Sequence, residues 1–322
     1  MKKSIALFLA VAMVFCLCAC GGAKGEATKI TYATGGTSGT YYGFSGVIAN
    51  VLNEKLADTL NISVQSTGAS KANVQMIDAG ECNLAIVQND VMYYAYTATD
   101  LFSGEEPIKS FSAVCSCYPE YVQIVAKKGI DNVAQLAGKN VSVGDAGSGT
   151  EFNAKQILAA YGLTFDDINV SNQSFADSCD SLKNGTIDAA FVVAGYPTTA
   201  ITELATSFDF DLVAVDDEHV KDLQADYGFY FYGDIPGGTY SCVEKDVPAV
   251  AVMATIIASN DLPEDVVYAF LKGLFDYKAD ITAAHAKGAE LDLDTAVSGV
   301  SIPWHAGAVK YFTEQGKTVP TK

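Results

Sequence analysis

There is no arginine in this chain: all 20 basic residues are lysine, set against 38 acidic ones, for a formal net charge of −18. The planar guanidinium fork that most often grips a carboxylate or phosphate is therefore unavailable. The acidic balance excludes nucleic acid, and equally an electrostatic hold on anionic lipid, as the main business of the protein. Histidine is scarce as well, with only His219, His285 and His305. No histidine stands at ligand spacing from a cysteine, so no metal site is expected. Apolar runs long enough to span a bilayer are missing too. The run from Ile5 to Phe15 behind Lys2 and Lys3 is too short and has the form of a secretory leader.

That leader ends in Leu17-Cys18-Ala19-Cys20 followed by Gly21 and Gly22, the pattern of a bacterial lipobox. Residues 1–19 are expected to be removed, Cys20 acylated, and residues 20–28 left as a tether. The mature protein is then extracytoplasmic and held to the cell membrane by its lipid alone. Cys82, Cys115, Cys117, Cys179 and Cys242 remain, an odd number that cannot complete a disulfide framework, so buried thiols are expected.

What the chain does have is glycine in a repeated device. Val141 to Leu163, VSVGDAGSGTEFNAKQILAAYGL, reads as strand, glycine-rich loop and helix. The first amides of a helix lack internal partners and sit at the positive end of its dipole, so Gly147, Ser148, Gly149 and Thr150 form a small anion or carboxylate cradle. Thr150, Glu151 or Ser148 could equally just cap the helix. The same device opens the ordered chain: a strand through Ile30 and Tyr32, a loop from Thr34 to Thr40, and a helix from Tyr41 with Phe44, Val47, Ile48, Val51 and Leu52 on one face.

Each copy continues in βαβ order. Ile62 to Ser70 is a strand leading to a helix capped by Ser70, and Asn83 to Asp90 is an apolar run of the kind buried in parallel sheets. Ile168 to Ser174 and Ser181 to Gly195 answer them after an offset of roughly 105 to 110 residues. Two α/β lobes follow, residues 29–115 with 241–322 and residues 116–240. Phe111 to Ile130 is the extended crossing between them, and Pro236 to Gly238 the return. In open parallel sheets ligands lie beyond the carboxyl ends of the strands. Those ends carry Gly36, Thr37, Thr40, Ser70, Gln88, Ser148, Thr150, Ser174, Gly195 and Tyr196. With arginine absent, a carboxylate there falls to helix amides, to the hydroxyls of Thr40, Tyr41, Ser70, Ser148 and Thr150, or to a lysine such as Lys71.

An enzyme is not expected, and no cofactor. GDAGSGT lacks the P-loop lysine and the G-x-G-x-x-G spacing, and Ser148 is not in a G-x-S-x-G elbow. His305 beside Trp304 fits a cap or a core position better than a catalyst.

Taken in order, TGGTSGTYYGFSGVIAN from Thr34, NLAIVQNDVMYYAY from Asn83, SVGDAGSGT from Ser142, GTIDAAFVVAGYP from Gly185, IPGGTY from Ile235 and SIPWHAGAVKYF from Ser301 resemble the TAXI family of TRAP-transporter solute receptors. The resemblance covers nearly everything after the tether. It implies a type II periplasmic-binding-protein fold with the ligand between the lobes. It also implies a small carboxylate solute such as glutamate, glutamine or 2-oxoglutarate, and delivery by a monomer to a TRAP-type membrane permease. A surface sensor or adhesin that binds a protein partner would use the same fold. Cys115 and Cys117 depart from the family where it has a strand near the hinge.

Overall fold

The computed structural model describes residues 26–320, so the leader, the lipobox and Cys20 lie outside the described residues. Strand β1 (Thr28–Ala33) pairs in parallel with β2 (Leu60–Gln65), Ile30 opposite Ile62, and on its other side with β3 (Leu84–Gln88). β3 is buried at every residue because helices cover both faces, which is why its sequence, LAIVQ, does not alternate. Helices α1 (Thr40–Lys55) and α2 (Ser70–Asp78) connect these strands, and α3 (Asn89–Thr97) follows. Phe44, Ile48 and Leu52 recur every fourth residue on α1, share one face, and are fully buried.

The long strand β4 (Phe111–Lys127) then leads to the second copy: β5 (Asn140–Ser142), α4 (Gly149–Ala160), β6 (Asn169–Ser171), α5 (Phe175–Lys183) and β7 (Ala189–Ala194). After it come α6 (Thr199–Leu204), β8 (Phe210–Val213), α7 (Asp217–Asp226), β9 (Phe231–Ile235) and β10 (Val247–Ser259). The chain closes with α8 (Glu264–Asp276), α9 (Lys278–Ala284) and α10 (Ala306–Glu314). Strand order is β2-β1-β3-β10-β4-β7-β5-β6. Each lobe is thus three parallel strands plus an antiparallel fourth, β10 beside β3 (Ile256 opposite Ile86) and β4 beside β7 (Ile124 opposite Phe191).

The return crossing is not at Pro236. Ile235 of β9 pairs with Val247 of β10, and Phe231 with Ala251, so residues 236–246 form a hairpin inside the second lobe. Gly238, at φ 82°, makes the turn, and its N–H donates to Val243 O at 2.7 Å. β10 itself crosses between lobes alongside β4, where Val252 faces Glu120 and Met253 faces Pro119. The cores agree: Val250 and Val252 pack in the second lobe with Ile124, whereas Ala254 and Ile256 pack in the first with Phe270 and Phe312. The boundary at 241 therefore moves to the middle of β10.

Two register shifts against β10 bend β4 as it leaves the first lobe, and they put Val114, Cys115, Cys117 and Tyr118 in one core. The described cysteines are all free thiols, buried except for half-buried Cys242. Between Pro263 and His285 the chain forms two helices, α8 and α9, with the break at Tyr277. The last helix starts at Ala306, because Trp304 bridges to Ala113 and His305 caps the helix, accepting from Gly307 N–H at 3.2 Å. The other ring nitrogen of His305 lies 2.9 Å from Leu262 O. It is a buried cap.

Candidate functional site

The carboxyl ends of β1, β2 and β3 in one lobe, and of β5 and β7 in the other, face a cleft of about 540 Å³. Gly36, Thr40, Tyr41, Ser70 and Gln88 line it from the first lobe, and Ser148, Gly149 and Thr150 from the second. The starts of α1, α2 and α4 all reach it, which brings three positive helix ends to one space. Neither α1 nor α2 has a side-chain cap: their N-cap residues are Gly39 and Ala69, the latter at φ 67°. Their first amides keep their hydrogen-bonding capacity for whatever enters.

The start of α4 is different. Ser148 Oγ accepts from Glu151 N–H at 3.1 Å, and Glu151 Oε2 accepts from Gly147 N–H at 2.6 Å. The amide of Gly147 is therefore used within the loop, and Gly147 does not line the cleft. The cradle narrows to Gly149 and Thr150. A Cβ at Gly149 would lie 1.9 Å from Gln88 Oε1, across the cleft, so the Gln88 amide would have to move to admit it.

Thr37 is exposed and stands off the lining, and Ser174 caps α5 by accepting from Asp177 N–H. Gly195 and Tyr196 also sit beyond it. Gly195 O accepts from Thr40 Oγ1 at 2.9 Å, tying the lobes together, and Tyr196 packs against Tyr121 with ring centroids 4.8 Å apart. Lys71 turns outward, donating to Glu105 Oε1 at 2.6 Å and Leu101 O at 3.0 Å. It does not line the cleft.

Two acidic residues on the lining were not singled out from sequence. Glu120, on β4 where it passes between the lobes, is 1% exposed, and its Oε1 accepts from Tyr41 OH at 2.5 Å. Burial holds its carboxyl well above the usual carboxylate range. Burial also raises Asp145, in the loop before α4. A lone acid inside the apolar run YPEYVQIVA is the sign that would have found Glu120, because such a strand has no solvent face for a charge. Phe175, Val193 and Ala194 supply the apolar wall.

Beside the cleft the lobes touch again. Asn153 Nδ2 of α4 donates to Asp90 Oδ2 of α3 at 3.0 Å and to Tyr230 OH at 2.7 Å, and Gln156 Nε2 donates to Tyr94 OH at 3.3 Å. This is a closed arrangement. His219 stacks on Tyr161 at 3.6 Å, away from the lining. No group of side chains able to hold a metal ion occurs among the described residues, nor any helix long and apolar enough to cross a membrane.

Residues 32–316 match the NMT1-like family, and the chain belongs to it. Its fold is similar to that of a protein from Bordetella bronchiseptica RB50, 17% identical with a TM-score of 0.54 over 90% of this chain and 98% of that one. The binding-protein component of an ABC phosphonate transporter from Pseudomonas aeruginosa is similar at 10% identity and a TM-score of 0.50, over 81% and 79%. The periplasmic aliphatic sulphonate binding protein of Escherichia coli matches at 17% and 0.45, over 90% and 83%. The fold is that of the type II periplasmic binding proteins.

Proposed function

We propose that this protein is an extracytoplasmic solute receptor, of the TAXI type its motifs resemble. In this reading it is anchored through Cys20, captures a small carboxylate of the glutamate, glutamine or 2-oxoglutarate class between its lobes, and delivers it to a TRAP-type permease. The observation that carries this is the meeting of three helix starts from two lobes at one cleft, in a chain without arginine. Hydrogen bonds to a charged group give about 1.5 to 3 kcal/mol each, and a micromolar complex needs about 8 kcal/mol. One helix end is too little, so a carboxylate binds firmly only when both lobes close on it. Open lobes expose the two donor sets separately, and closure unites them. In this reading binding and release are what the cleft does.

The purified protein is to be examined by native mass spectrometry for retained solute, and by calorimetry with glutamate, glutamine and 2-oxoglutarate. Binding of one of the three with a reduced radius of gyration in solution scattering is expected. Heat from none of them, together with a tight protein partner, would put a surface sensor or adhesin in its place.

A further inference from the structure

We propose that Glu120 is a specificity-determining residue that accepts a ligand ammonium, so that this cleft selects an amino acid over the oxo acid of the same skeleton. This rests on the solute-capture reading above and adds to it what the second end of the solute must be.

The argument is a count of donors against acceptors. The helix starts offer N–H groups, which a carboxylate satisfies. The lining also holds groups that a carboxylate cannot satisfy. Among the described residues Glu120 has no ion-pair partner, and only its Oε1 is engaged, by the Tyr41 hydroxyl. Gln88 Oε1 is buried on the same lining and has no hydrogen-bond partner. Asp145 adds a further carboxyl. Buried acceptors of this kind need a donor, and a buried carboxylate needs a cation. The nearest candidate within the chain, Lys287, donates instead to Glu290 Oε1 at 2.6 Å, with its ammonium 5.5 Å from the Tyr118 ring centre. An α-ammonium beside an α-carboxylate supplies both needs, and an α-keto oxygen supplies neither donor nor charge.

A proton count follows. The groups facing Glu120 are Tyr41 on α1, Cys117 and Tyr118 on β4, Asp90 on α3 and, opposing them, Lys287. Burial and Asp90 push the Glu120 carboxyl well above the usual carboxylate range, toward its protonated form, with Tyr41 and Lys287 working the other way. When an ammonium arrives, Glu120 gives its proton to solvent and keeps the ammonium as its counter-ion. No bond to the solute is made or broken. The rival account leaves Glu120 protonated and donating its O–H to the ligand carboxylate, and that account favours the oxo acid equally.

The test is calorimetry on the full-length lipoprotein in detergent, with L-glutamate and 2-oxoglutarate, in two buffers of different protonation enthalpy. Glutamate is expected to bind about tenfold or more tighter, releasing up to about one proton per solute. Glu120→Gln is expected to abolish the preference and the proton release while leaving 2-oxoglutarate affinity within a few-fold of wild type. Glu120→Asp is expected to restore part of the preference. Equal or tighter binding of 2-oxoglutarate, no proton release, or a preference that survives Glu120→Gln each overturns the inference. If the variant does not fold, judged by its melting curve, the wild-type preference and proton count decide alone. Heat from neither compound defeats the capture of these carboxylates itself, and the inference falls with it, a pattern distinct from binding without preference.

Discussion

The two lobes present the same strand–loop–helix device to the cleft, yet they finish it differently. In the first lobe α1 and α2 begin at Gly39 and Ala69, and no side chain caps either of them. In the second, Ser148 and Glu151 cap α4 from both directions. A cap and a ligand compete for the same first-turn amides, so a helix end that stabilises its own lobe with these groups has fewer to offer. On the proposed reading the first lobe is then the one that offers most to the solute. The second is built to be stable on its own and to close with the two amides it retains, at Gly149 and Thr150.

The largest expected effect comes from Gly149, because its neighbour belongs to the other lobe. A Cβ there meets Gln88 Oε1 at 1.9 Å and Cδ at 2.6 Å, a clash that exists only in the closed arrangement. Overpacking costs about 1–3 kcal/mol. Gly149→Val is expected to weaken solute binding by roughly tenfold to a hundredfold. The melting temperature of the unliganded protein should change little. A large loss of unliganded stability, with binding retained, would mean that Gly149 serves the lobe's own packing.

The division of labour between the lobes was only partly legible in the residues. β3 and β7 were readable because continuous apolar runs such as LAIVQ and AAFVVA have one economical place, the middle of a covered parallel sheet. Glycine-rich loops after strands marked where the helix starts would gather. The midpoint of β10 was not readable, since VPAVAVMATIIAS is apolar from end to end. Which half belongs to which lobe is decided by pairing first with the neighbouring β9 and then with β3, a contact distant in sequence. Glu120 carried a sign, a lone acid in an apolar run, but that it lines the cleft is decided by the crossing of β4 and β10. Where Lys71, one of the alternatives, would point was not readable because a long flexible side chain at a helix start can point either way, and Glu105 draws it outward.

A second contact between the lobes gives a pH signature. Asp90, buried and bonded to Asn153, is pushed up to about 6 by burial, against about 3.9 for an unfolded aspartate. The native state thus holds a proton that the unfolded chain has already lost, so this group makes stability fall as pH rises through that window, by up to about 1.4 kcal/mol per pH unit. Above about pH 6 its contribution is flat. In urea titrations across the window, Asp90→Asn is expected to remove that part of the slope relative to wild type. An unchanged slope would show that Asp90 reaches solvent in the unliganded protein, with the lobes apart there.

Ser148→Ala tests the cap directly. Loss of an N-cap hydroxyl costs about 1 kcal/mol, and the Glu151 amide that it serves belongs to the second lobe alone. A lower melting temperature without solute is expected, with at most a few-fold change in affinity. The reverse outcome, full stability and a large loss of binding, would return the hydroxyl of Ser148 to the ligand.

The smallest effect is expected at Lys71, and there the absence of arginine comes to a point. If any cation of the chain were to hold the solute carboxylate, Lys71 at the start of α2 stands nearest in sequence to the cleft, but its ammonium is paired with Glu105 and lies 4.7 Å from the Phe102 ring centre. Such partly exposed pairs contribute about 0–1 kcal/mol. Lys71→Ala is expected to leave the affinity for glutamate unchanged within twofold and to lower the melting temperature by no more than a degree or two. The salt dependence of binding sharpens the point. A carboxylate held by backbone amides in a closed cleft is shielded from ions that screen exposed charges within about 8 to 10 Å, so affinity should vary little with ionic strength. A tenfold loss in Lys71→Ala, steepest at low salt, would mean that the side chain swings inward on binding and that a lysine, not the helix starts, does the work of the missing arginine.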